Sequence, residues 1–154
     1  MVEMNLIRGV MASMVMVCGL IGCAYVDYVK DAAQRVKAAD WSKMETVSIN
    51  QTEFAFSPNE FVFRVGMPYK LEIINKGTTK HYFTAEEFFK AIATRKVQSN
   101  TDGEIKAPYF TALEVFPGRS LELYFIPAKK GSYNLRCTIE GHAEKGMVGR
   151  IVIE

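Results

Sequence analysis

A chain of 154 residues has room for one domain and a short appendage. Hydrophobic residues make up 49% of it, which argues against a disordered chain and suffices for one buried core. The net charge of +2, with no run of Lys or Arg, argues against a nucleic-acid surface and leaves the class of partner open.

The N-terminal segment differs in composition from the rest. Met1 to Gly9 is short and polar with one cation, Arg8, and Val10 to Ile21 is an apolar run broken only by Ser13 and Gly19. That run is short for a bilayer span and suits the hydrophobic part of a secretory signal. It ends in Leu20-Ile21-Gly22-Cys23, which resembles a bacterial lipobox. The expectation is a lipoprotein signal peptide over 1–22, cleaved before Cys23, with Cys23 carrying the lipid. The protein would then lie at the cell envelope, anchored to a membrane and facing the periplasm or the cell exterior. Residues 23–45 read as a tether. Val26, Val29, Ala33 and Val36 stand at near-helical spacing there, as an amphipathic helix or as a spacer.

From Thr46 onward the period changes to two, and 46–154 reads as the folded domain. Val47 and Ile49 alternate with polar neighbours, as do Phe61, Phe63 and Val65, then Leu71 and Ile73, then Leu121, Leu123 and Phe125. Ile151 to Ile153 closes the chain. Turns at Ser57-Pro58-Asn59, Gly66-Met67-Pro68, Lys76-Gly77, Pro117-Gly118 and Lys130-Gly131 separate the runs. Short alternating strands between such turns predict an all-β sandwich or barrel. One segment departs from the pattern. Thr84-Ala85-Glu86-Glu87 has the form of a capping box and Phe88, Phe89 and Ile92 follow, predicting a helix over about Ala85 to Lys96. Such a helix would cap one end of the barrel with its apolar residues or present Glu86, Lys90, Arg95 and Lys96 to a partner. Gln98 to Ala107 reads as a loop.

With Cys18 inside the signal and Cys23 lipidated, Cys137 would be the one free thiol of an exported protein, which calls for an explanation. Alternation places Tyr133, Leu135 and Cys137 on one face of a strand, and Gly141 and Gly146 let the following loop fold back beside His142 and Met147. The chain holds two histidines, and the other is His81, just past the Lys76-Gly77 turn. A lone strand-end Cys is commonly a small buried hydrophobe. Together, however, a thiolate, two imidazoles and a thioether form the donor set of a blue-copper centre, so His81, Cys137, His142 and Met147 are expected to bind one copper ion.

The chain resembles a cupredoxin from about Thr46 to Glu154. Asn75-Lys76-Gly77 leads into His81, Pro117-Gly118 precedes the Leu121–Phe125 run, and Gly131-x-Tyr133-x-Leu135-x-Cys137 runs into Gly141-His142-Ala143-Glu144-Lys145-Gly146-Met147. The resemblance implies a Greek-key sandwich of about eight strands, with the helical segment inserted after the first His ligand. It departs at Tyr82, where many cupredoxins carry a small polar residue that ties the two copper loops together. The function expected is a mononuclear electron carrier serving a redox protein such as a cytochrome c or a membrane oxidase, with the imidazole edge of His142 as the electron port. The alternative is a periplasmic copper chaperone, store or sensor. No second cysteine lies between Cys137 and Met147 for a binuclear centre, and no further histidines remain for an oxidase or nitrite reductase, so the expectation is that the protein is not an enzyme.

Overall fold

The structure, a computed structural model, describes residues 27–154. The signal peptide expected over 1–22 and Cys23, expected to carry the lipid, lie outside the described residues.

Two sheets form the sandwich. The first has six strands in the order β2-β1-β4-β9-β6-β7, made of β1 (Glu45–Thr52), β2 (Ala55–Ser57), β4 (Tyr69–Asn75), β6 (Ile92–Ser99), β7 (Gly103–Ile105) and β9 (Ser120–Pro127). The second has five in the order β3-β11-β10-β5-β8, made of β3 (Glu60–Phe63), β5 (His81–Thr84), β8 (Ala112–Val115), β10 (Gly131–Arg136) and β11 (Val148–Ile153). Two pairings are parallel, β1 with β4 and β3 with β11, and the rest are antiparallel. Sequence neighbours are therefore often not sheet neighbours, as in a Greek-key sandwich.

The period-two runs explain the strands. Along β4, Tyr69, Leu71 and Ile73 are buried while Lys70 and Glu72 are only half-covered on the other face. There the Lys70 ammonium bonds Glu72 at 2.6 Å and reaches Glu122 of β9 at 3.4 Å. Side chains from both sheets meet in an aromatic core. The Phe63 ring lies 4.8 Å from Tyr69, 5.1 Å from Phe125 and 6.1 Å from Phe88, centroid to centroid. Fully burying each such side chain contributes roughly 1.5–3 kcal/mol before the entropy of ordering is subtracted.

The predicted helix forms, but shorter than expected. It is α2 (Glu86–Phe89), and Ile92–Ser99, expected to be its C-terminal part and the start of a loop, is strand β6 instead. Two causes are visible. The Thr84 hydroxyl shares a hydrogen bond with that of Thr138 at 3.1 Å, so the capping box is not made and Ala85 caps the helix without a side-chain bond. Beyond Lys90 the chain meets the free edge of β9, and seven residue pairs from Ile92↔Pro127 to Ser99↔Leu121 satisfy more backbone than a further helical turn would. The expected loop over 98–107 likewise contains β7, paired to β6 from Val97↔Ile105 to Ser99↔Gly103. Phe88, Phe89 and Ile92 are all buried in the core.

Helix α1 (Ala32–Ala38) precedes β1 and is followed by a single 3-10 turn at Trp41–Lys43. The Trp41 indole N–H donates to the Val36 carbonyl at 3.0 Å, and the Arg95 guanidinium of β6 lies 4.4 Å over the indole ring. This segment rests on the six-stranded sheet.

Candidate metal centre

The antiparallel register of β5 and β10, fixed by Arg136↔Thr84, puts the first residue of β5 and the end of β10 at the same end of the sheet. His81 opens β5, Cys137 directly follows β10, and Met147 directly precedes β11. The loop between Cys137 and Met147 is closed by its own backbone. The Cys137 N–H donates to the Met147 carbonyl (3.1 Å), and the Met147 N–H to the His142 carbonyl (3.0 Å). The His142 N–H in turn donates to the Ile139 carbonyl (3.0 Å). Gly141 (φ 76°) and Gly146 (φ 106°) take the left-handed turns that bring the loop back on itself.

Three donors converge. One ring nitrogen each of His81 and His142 and the Cys137 sulfur all lie within 4.8 Å of one another, and the Cys137 Sγ is 3.6 Å from His142 Nδ1. His81, Cys137 and Met147 are buried and His142 is half-buried. The backbone of Met147, which is buried, is tied to those of Cys137 and His142 by the bonds above.

The donors suit a soft, borderline metal on two counts. Neither ring nitrogen of the buried His81 has a hydrogen-bond partner among the described residues, a costly state unless a ligand takes a lone pair. Burial also pushes the His81 imidazole below its ordinary pKa, and the second imidazole, His142, pushes the same way against the opposing pull of Glu53. The ring is thus held neutral, the form that ligates. Two imidazoles with one thiolate and a neighbouring thioether match copper better than zinc, magnesium or calcium.

Sequence reasoning missed the supports around these donors. The Tyr82 N–H points at the Cys137 Sγ (3.5 Å), so the tie expected from a small polar side chain is made in part by backbone. Asn75, buried, donates from Nδ2 to the carbonyls of Thr79 and Val115 (2.8 Å each) and accepts the Gly77 N–H (2.8 Å), folding the turn into His81. Glu53 accepts from the Thr78 N–H (2.5 Å), the Thr78 hydroxyl (2.9 Å) and the Thr79 N–H (3.3 Å). The Thr78 N–H first, then its own N–H and the Thr78 hydroxyl, hold the Glu53 carboxyl down at about 2. Phe54 packs against His142 as an edge-to-face pair with ring centroids 5.2 Å apart, so the imidazole expected at the surface is partly covered. Asn75-Lys76-Gly77 carried a weak signal for the Asn75 role, whereas nothing local marks Glu53 or Phe54, which lie far from the ligands in sequence.

Residues 27–154 match the family described as multicopper oxidase. The chain belongs to that family, and its fold is the cupredoxin fold. Among solved structures, it is similar to "Multicopper oxidase from Campylobacter jejuni: a metallo-oxidase" (17% identity, TM-score 0.56), covering 72% of this chain and 30% of that one. It is similar to dithionite-reduced auracyanin from Roseiflexus castenholzii (19% identity, TM-score 0.51), covering 71% of this chain and 96% of that one. A copper-containing nitrite reductase from Thermus scotoductus matches at 14% identity and TM-score 0.54, over 71% of this chain and 30% of that one. No curated protein sequence matches the chain.

These findings correct one expectation. The ligand count pointed away from an enzyme, yet the family is one of oxidases, and multicopper oxidases and nitrite reductases stand among the similar structures beside the auracyanins. The count failed because it weighed one domain's histidines against the needs of a whole enzyme. The chain spans 30% of the length of the multicopper oxidase from Campylobacter jejuni, so its own ligands do not report on a complete oxidase.

Proposed function

We propose that the chain holds one copper ion between His81, Cys137, His142 and Met147 and passes single electrons through it at the cell envelope. The observation that carries this reading is the convergence of one buried cysteine and two imidazoles within 4.8 Å, one imidazole lacking a hydrogen-bond partner among the described residues. Copper, when bound, supplies a one-electron couple between Cu(II) and Cu(I). The protein's part is to hold the donors still. Cys137 offers the soft anionic donor and receives the Tyr82 N–H, His81 is held neutral and buried, and the loop's own hydrogen bonds keep Met147 beside Cys137. A scaffold that fixes its donors before the electron arrives leaves little to rearrange on transfer. The partner is a redox protein such as a cytochrome c or a membrane oxidase.

Titration of the purified metal-free protein with Cu(II), followed by visible absorption and electron paramagnetic resonance, tests the reading. One equivalent is expected to give an intense copper–thiolate band. Cys137→Ser is expected to abolish it, and Met147→Gln to keep copper while lowering the potential, because an amide oxygen favours Cu(II). Bound copper that shows no such band even after oxidation to Cu(II) would instead support a chaperone, store or sensor.

A further inference from the structure

The tip of the β1–β2 hairpin is two residues long, Glu53-Phe54, and it touches both loops that carry histidines. Glu53 accepts the N–H groups of Thr78 and Thr79 and the Thr78 hydroxyl, in the turn that delivers His81. The approach is close, since a Cβ on Gly77 would lie 2.7 Å from Glu53 Oε1 and 2.9 Å from His81 Nε2. Phe54 grips the other loop twice. Its ring stands edge-to-face against His142, and the Lys145 ammonium lies 4.5 Å from the centroid of the same ring. Phe54 also has φ 64°, the left-handed region, as a non-glycine residue. A bulky aromatic there is a backbone cost that a turn would shed by carrying Gly or Asn, unless the ring itself is needed at that place.

We infer that Glu53-Phe54 is a brace that locks the His81 and His142 loops to each other from outside, taking over what Tyr82 cannot do with its side chain. Phe54 is a positioning residue for His142. It holds the imidazole in one orientation and partly covers it, while Glu53 fixes the turn in front of His81. The inference rests on the proposed copper site for what the histidines ligate, but the brace itself belongs to the metal-free chain and is measured there.

The test uses the full chain without metal and diethyl pyrocarbonate as the probe, with each histidine read separately by peptide mass spectrometry. Phe54→Asn keeps a residue tolerant of the left-handed backbone and removes the ring. It is expected to raise His142 labelling by roughly three- to tenfold, the ratio that loss of an aromatic pair converts to, with buried His81 slow and the thermal midpoint about unchanged. Phe54→Tyr is expected to label as wild type. Glu53→Gln, read by amide hydrogen exchange, is expected to speed exchange at Thr78 and Thr79. In the copper-loaded protein, added azide is expected to change the visible spectrum of Phe54→Asn and not that of wild type. His142 labelling equal in wild type and Phe54→Asn overturns the brace, and so does unchanged exchange at Thr78 and Thr79 in Glu53→Gln. Neither of these readouts depends on whether copper binds.

Discussion

At the scale of single residues, the site is held by side chains whose roles depend on having no room to move. Gly77 is the sharpest case. A methyl group there would meet the hydrogen-bonded Glu53 carboxylate on one side and the buried His81 ring on the other. Glu53 is tied to Thr78 and Thr79 by hydrogen bonds and His81 is fully buried, so neither gives way without loss and Gly77→Ala is expected to act as overpacking and cost about 1–3 kcal/mol. Chemical denaturation of the metal-free protein measures it, and an unchanged midpoint would mean the His81 ring has slack. Cys137 and the two histidines were legible in the sequence because the chain has few residues of their kinds. Their supports Glu53 and Phe54 were not, because a hydrogen bond or ring contact between residues so far apart in sequence leaves no local pattern, while Asn75 left only the weak signal of Asn75-Lys76-Gly77.

At the scale of elements, the segment after His81 shows how sheet edges overrule local propensity. Helix α2 has four residues, and its two phenylalanines are core rather than decoration. Phe88 lies 5.5 Å from Phe125, 5.7 Å from Phe89 and 6.1 Å from Phe63, so Phe88→Ala is expected to cost about 3–5 kcal/mol. Urea unfolding should show the midpoint fall with little change in slope. The charges expected to face a partner from this segment have partners within the domain. Lys90 bonds Glu87 (2.7 Å), Lys96 bonds Glu104 (2.7 Å), and Arg95 covers Trp41. Glu104 matters to the β6–β7 hairpin, where Lys96 first and then Lys106 hold its carboxyl down at about 2. A carboxylate lowered by folding contributes stability above its unfolded pKa and loses it as pH falls through the folded value. Amide exchange in β7 is therefore expected to quicken as pH drops from about 4.5 towards about 2, once corrected for intrinsic rates, and Glu104→Gln is expected to flatten that change. The effect is small, because both lysines and the carboxylate are partly solvated.

At the scale of the whole molecule, the site end is served by strands from both sheets and by three separate loops. The segment from Asp27 to Lys43 lies along the six-stranded sheet, where Lys129 donates from Nζ to the Asp27 carbonyl and Tyr28 stacks on Tyr109 at 4.0 Å. We propose that the chain upstream of this segment carries a lipid on Cys23 and fixes the domain to a membrane. Processing as a bacterial lipoprotein would add two or more acyl chains, enough for stable attachment. Cys23→Ser is expected to release the protein or block its processing. Fractionation that finds the variant as membrane-bound and as fully cleaved as wild type would overturn the anchor.

The alternating runs from Val47 to Ile153 were enough to specify a β-sandwich or barrel, because many short strands with one apolar face, separated by turns and with few helical segments between them, are buried most readily against one another. The Cys137–Met147 segment was enough to name three donors, because ligand chemistry follows residue type and the loop is local. The tertiary structure alone decided the rest. It ended α2 at Phe89 because the free edge of β9 offered a ladder, and it set Tyr82 against Cys137 by backbone rather than side chain. It also carried Glu53-Phe54 across the molecule to the two histidine loops. Each of these outcomes depends on which strand edge or loop arrives beside a residue after the sheets pair, and that proximity is not encoded in any window of sequence.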